Sequence, residues 1–182
     1  MSSSFCRKRS FKMRYVGYAL ILILGMAFQT AGSPGLILFG TRPELMLLLT
    51  LLFAMLQEPW GAAGFGFSSG LLQDLLIGRF IGLYALTYLL MATLVAFATK
   101  RLYKENFLVR FFAVFAGTAC GQVLYLFGAA SFGSASAWSW TIWGMVLGTS
   151  VFNGLIGVLL YRPFVAINKR LIYIDELLKR TG

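Results

Sequence analysis

The chain has no histidine, two cysteines (Cys6 and Cys120), four prolines and six acidic residues against sixteen basic ones. Without imidazole there is no ready proton shuttle, and two cysteines so far apart in sequence supply neither a zinc site nor a disulfide scaffold. Metal and cofactor binding are therefore not expected. Charged residues make up 12% of the chain, where a soluble domain carries about a quarter. Apolar residues take their place: 59% of the 182 residues are hydrophobic, and the mean hydropathy is +0.79. Lipid is the solvent this composition fits.

A formal charge of +10 raises the question of nucleic acid. The basic residues gather in clusters at the ends of apolar segments, a layout that orients a membrane protein and makes no continuous phosphate-binding stripe. No nucleic-acid partner is expected.

Six apolar runs are bounded by charge, proline or Ser/Gly clusters: 15–31, 45–56, 61–78, 80–99, 107–131 and 141–161. A membrane-spanning helix needs about 20 apolar residues, so the second run, closed by Glu58-Pro59, is short. Residues 1–32, with a basic run, an apolar stretch and small residues near Ala31, resemble a secretory signal. They are read as a first span because more apolar runs follow. The expected fold is an all-α integral membrane protein, a six-transmembrane-helix bundle over 15–161. A basic leader (1–14) and a basic tail (162–182) flank it. Placing both termini in the cytoplasm puts every Lys and Arg except Arg42 and Arg79 on that side, as the positive-inside rule requires. Beyond Pro163, apolar Ile167, Leu171, Ile174 and Leu178 recur on one face. Either a short amphipathic helix on the inner membrane surface or a solvated extension of the sixth span fits that pattern.

Residues 64–86, across the third run and into the fourth, carry a ladder at four-residue steps: Gly66, Gly70, Asp74, Gly78 and Gly82. In lipid, helices associate through close backbone packing and polar contacts, so small residues mark contact faces. Gly117 and Gly121, Gly144 and Gly148, and the Asn153-Gly154 pair extend that reading to the fifth and sixth runs. Asp74 stands out, since an acid in a membrane helix costs about 2.5 to 3.5 kcal/mol on insertion scales. Near a helix C-terminus it needs a cation, with Arg79 and Arg42 as candidates, or hydrogen-bond donors. A structural pairing and a ligand or partner contact both remain open for it.

Gly64-Phe65, Gly70-Leu71-Leu72, Asp74, Gly78, Gly82 and Ala85-Leu86 together resemble the signature of the MreD family, the rod shape-determining membrane proteins of bacteria. Arg42-Pro43-Glu44-Leu45 is similar to the start of that family's second span, and Phe152-Asn153 to part of its last. The resemblance implies a non-enzymatic, multi-pass subunit of the cell-elongation machinery in the bacterial cytoplasmic membrane. Such a subunit binds MreC and helps couple the MreB cytoskeleton to peptidoglycan synthesis by RodA and a class B penicillin-binding protein. The family also looks distantly like the six-helix substrate-capture subunits of vitamin transporters, which adds a rival function. In that rival, Asp74, Gln73, Tyr84, Gln122 and Asn153 line one pocket. An intramembrane enzyme is disfavoured, because the acids near the membrane, Asp74 and Glu58, are expected toward opposite faces, whereas an acid/base pair shares a site.

Overall fold

The computed structural model describes residues 17–30, 44–78, 80–100, 106–132 and 140–180, without the side chains of 175, 176 and 178–180. Among the described residues there are six helices and no strand: α1 (Gly17–Thr30), α2 (Leu45–Leu56), α3 (Pro59–Ile77), α4 (Leu83–Lys100), α5 (Phe107–Ser131) and α6 (Trp140–Arg180). The basic leader, Arg42 and Arg79 lie outside the described residues.

The second apolar run forms the centre of the protein. Its sequence, LMLLLTLLFAML, is apolar all round, and such a helix belongs inside a bundle. Nine of its twelve residues are buried, and α2 packs against α3, α4, α5 and α6. Twelve residues rise about 18 Å, well short of the ~30 Å hydrocarbon thickness. The helix is therefore a core element within the others. One of its first amides is bound from outside: Gln29 Oε1 of α1 accepts the Met46 N–H at 3.0 Å. Within the core, Thr50 and Ser69 share a buried hydroxyl pair at 2.7 Å that ties α2 to α3. Tyr18 of α1 meets Phe53 edge-on at 4.6 Å, and Phe53 stacks on Phe65 at 3.9 Å.

Three helices, α4, α5 and α6, are long and apolar enough to cross a membrane. Large apolar side chains on their outer faces, among them Leu94, Phe97, Phe112, Leu155 and Leu159, are exposed. Water does not tolerate such a continuous apolar belt, but lipid does. α3 starts with Pro59 at its first position, where the missing N–H costs nothing. It ends on Gly78 in the left-handed conformation (φ 67°).

The sixth segment departs from the expected end at Tyr161. α6 is one helix of 41 residues that continues through Pro163, about 60 Å of rise. Two contacts on the first turns of α1 hold this extension. Tyr18 OH donates to Asn168 Oδ1 at 3.1 Å, and Leu171 lies over Gly17. Phe164 is buried beside the proline, and the Arg110 guanidinium sits over the Tyr161 ring, 5.0 Å from its centroid. Packing on both sides thus outweighs the one backbone hydrogen bond that Pro163 removes.

Candidate functional site

The glycine ladder is the joint between α3 and α4, which pack more extensively than any other pair of described helices. A Cβ on Gly66 would stand 2.6 Å from the Tyr88 carbonyl oxygen and 2.9 Å from the Ala92 Cβ. One on Gly70 would stand 2.5 Å from the Ala85 Cα. At both positions the α3 backbone lies directly on the α4 backbone, and no other residue type fits without moving a helix. Gly78 then closes α3, its N–H bonding to the Asp74 carbonyl at 2.8 Å. Gly82, with φ 100°, turns the chain into α4.

One turn back from Gly78, the Asp74 side chain reaches the start of the next helix. Oδ2 accepts the N–H groups of Gly82 and Ala85, each at 2.9 Å, and Oδ1 accepts that of Tyr84 at 3.0 Å. The first amides of a helix have no partner within it, and the helix dipole favours an acid there. A residue at the Gly82 position normally supplies the cap, but glycine has no side chain, so Asp74 caps α4 from the preceding helix. Its residue is 1% exposed. Of the partners expected for this acid, the donors are present as backbone amides. Arg79 and Arg42 are not among the described residues.

A second acid, Glu44, lies at the same end of the bundle and did not figure among the candidate residues. It precedes α2 and is half-buried. Oε1 accepts the Tyr88 hydroxyl at 3.2 Å, and Oε2 accepts the Gln122 amide at 3.1 Å. Its backbone carbonyl receives the Leu48 N–H at 3.0 Å and the Asn153 Nδ2 at 3.3 Å. Asn153 also reaches Thr118 Oγ1 at 3.5 Å. The two outlying segments quoted for the resemblance, around Glu44 and Asn153, therefore meet in space across 109 positions of sequence. Beside Glu44 is a partly open cavity of about 290 Å³, between the last turns of α1 and α5 and the first turns of α2, α4 and α6. Tyr84, Tyr88, Gln122 and Tyr125 line it with Glu44, and the rings of Tyr84 and Tyr125 stack at 4.1 Å.

The other sequence candidates fall into different places. Gly117 lies under Leu51 and Val95, whereas Gly121 faces Leu47 and Met91 and lines the cavity. Gly148 is half-buried. Gly144 departs from the expected contact face: it is exposed, and a Cβ there would meet nothing within 4 Å. The polar set expected to converge on one pocket does so in part. Tyr84 and Gln122 line the cavity, but Asp74, Gln73 and Asn153 do not. Glu58 is an exposed residue paired with Lys100, so among the described residues the acids inside the bundle are Asp74 and Glu44. Among the described residues, no three His, Cys, Asp or Glu side chains cluster as a metal site would require. Glu44 was legible to a stricter reading, since an acid immediately before twelve apolar residues that must be buried all round is drawn in with them.

Comparison with known proteins returns one family. No curated protein and no solved structure matches the chain. The family model for rod shape-determining protein MreD matches residues 9–170, which takes in all the helices up to the extension of α6, both acids and the Asn153 contact. With nearly the whole chain matched, this protein belongs to the MreD family of rod shape-determining membrane proteins.

Proposed function

We propose that the protein is a non-enzymatic scaffold of the bacterial cell-elongation complex. It binds MreC in the cytoplasmic membrane and helps couple MreB to the peptidoglycan synthases RodA and the class B penicillin-binding protein. The observation that carries this reading is the family match over residues 9–170. The arrangement of the acids supports it. Asp74 is held by the amides of α4 and Glu44 by Tyr88 and Gln122, so each described acid inside the bundle has a structural partner. Exposed apolar faces on α4, α5 and α6 offer the shape-based contacts through which helices associate in lipid. We place both termini in the cytoplasm on the distribution of basic residues, which puts the Glu44 cavity at the outer end of the bundle.

The test is co-purification from membranes in which the tagged chain and MreC are made together, scored beside restoration of rod shape in cells lacking their own copy. Recovery of a stoichiometric complex with rod shape is the expected result. Restored shape with no MreC in the complex removes the scaffold reading. A second reading, capture of a small molecule as in vitamin-transporter subunits, draws support from the cavity itself, lined by Tyr84 and Gln122 as that reading expected. A vitamin retained in the purified protein, identified by mass spectrometry, would establish it.

A further inference from the structure

The cavity beside Glu44 has an excess of acceptors. A carboxyl group offers about four lone-pair sites, and two neutral donors, Tyr88 and Gln122, use part of that capacity. Having given its amide N–H to Glu44, Gln122 keeps a buried Oε1 with no partner among the described residues. Such an atom costs stability unless something occupies it. The stacked rings of Tyr84 and Tyr125 add electron-rich faces to the same wall. None of the described residues lining the cavity carries a positive charge.

We propose that this cavity is a receptor for a cationic N–H donor, a protonated amine or a guanidinium, held between the Glu44 carboxylate, Gln122 Oε1 and the Tyr84 and Tyr125 rings. Such a group brings a positive charge to the carboxylate, donates to both spare acceptors, and suits aromatic faces as a neutral group does not. At about 290 Å³ the space matches the small end of ligand pockets, so it takes a head group and a short alkyl stem. Two sources fit that chemistry: the end of a Lys or Arg side chain from a docked membrane protein, and a free small organic cation. The inference goes beyond the scaffold reading and stands whether or not MreC binds elsewhere on the bundle.

The test uses the full chain in nanodiscs of phosphatidylcholine, which carry no net charge, titrated with n-butylammonium, n-butylguanidinium and the neutral 1-pentanol and read by saturation-transfer NMR. Saturable binding of both cations is expected, with Kd on the order of 1 mM for so small a ligand. It should weaken at least tenfold in Glu44→Gln, and 1-pentanol should show nothing above empty nanodiscs. Equal binding by Glu44→Gln, equal binding of 1-pentanol, or no saturable binding of the cations overturns the proposal. Should Glu44→Gln fail to fold, Tyr125→Leu decides instead: it leaves both donors to Glu44 in place and should weaken cation binding several-fold, and unchanged affinity overturns the proposal. A photo-crosslinking residue at Ile142, on the cavity wall, then identifies the source in intact cells. A peptide adduct containing Lys or Arg assigns the cation to a docked protein, and a small-molecule adduct with a basic nitrogen assigns it to a free ligand. An adduct with neither, or none, counts against the receptor. MreC co-purification is scored separately, so loss of cation binding with MreC retained sinks this inference and leaves the scaffold standing.

Discussion

Asp74 and Glu44 lie at the same end of the bundle, both beside the start of a helix, and both in surroundings where an acid is costly. Asp74 receives three backbone N–H groups from a helix that has no other cap, and the two glycines behind it hold that helix at backbone contact. Glu44 receives two side-chain donors and borders open space. Backbone donors are fixed by the fold, whereas side-chain donors can turn toward a new partner. The difference teaches which acid is structural: one completes a helix joint, and the other retains capacity for something outside the chain. Tyr88 connects the two, its carbonyl lying on Gly66 and its hydroxyl on Glu44.

The largest expected effect comes from prying the joint apart. Gly70→Leu forces a side chain into the Ala85 backbone and should destabilise by about 3 kcal/mol or more, the upper range for overpacking. Gly61→Leu, whose Cβ would meet only the Gln57 side chain at 3.8 Å, should be close to neutral. Thermal unfolding of the two purified variants in one detergent checks this. Equal midpoints would mean that the joint is not held by backbone contact, and the contrast with the cavity would lose its basis.

Next in size is the acid of the joint. Asp74→Ala leaves the amides of Gly82, Tyr84 and Ala85 without their acceptor, the last of them buried, and should cost about 2 kcal/mol. Asp74→Asn keeps one oxygen and should cost about half as much. Hydrogen exchange reports directly: the amides of 82, 84 and 85 should exchange faster in both variants, and most in Asp74→Ala. Unchanged exchange at those amides would detach Asp74 from the cap.

Much of this was visible before the structure, and the rest was hidden for identifiable reasons. The ladder residues Gly66, Gly70, Asp74, Gly78 and Gly82 announce a tight joint because their spacing is helical and glycine is costly without a cause. The partner of Asp74 was less legible. A cap that reaches from one helix to the next depends on a tertiary turn, so the sequence leaves open whether a cation or hydrogen-bond donors meet the acid. Glu44 sits at a helix boundary beside Arg42 and Pro43, where an acid usually faces water. The signal against that is the apolar run that follows it, which buries α2 among five other helices and draws the acid inside. Continuation of α6 past Pro163 was one of two patterns the sequence allowed, and the packing that sustains it comes from Tyr18 and Gly17 at the far end of the sequence.

A smaller effect tests the cavity side of the comparison. Glu44→Gln retains an acceptor for Tyr88 or Gln122 and leaves the backbone bonds to Leu48 and Asn153 intact. The stability change should be about 1 kcal/mol or less, the scale of a single neutral hydrogen bond, and so smaller than that of Asp74→Ala. The denaturation midpoint, measured with no added cation, checks it. A larger loss than Asp74→Ala would make Glu44 the structural acid and reverse the assignment of the two.

The smallest effect should fall at Gly144, and its sign is informative. Gly144 resembles the ladder in sequence, standing four residues before Gly148, yet it is exposed and open space surrounds its missing Cβ. A helix gains up to about 1 kcal/mol when an interior glycine becomes alanine without a clash. Gly144→Ala should therefore raise the midpoint slightly, whereas Gly66→Ala, whose methyl would press on the Tyr88 carbonyl, should lower it. Opposite signs from one chemical change at two GxxxG positions would show that spacing alone does not make a contact face and that a facing backbone does. If Gly144→Ala lowers the midpoint as Gly66→Ala does, the α6 glycine also meets a partner, and a facing backbone is not what separates the two positions.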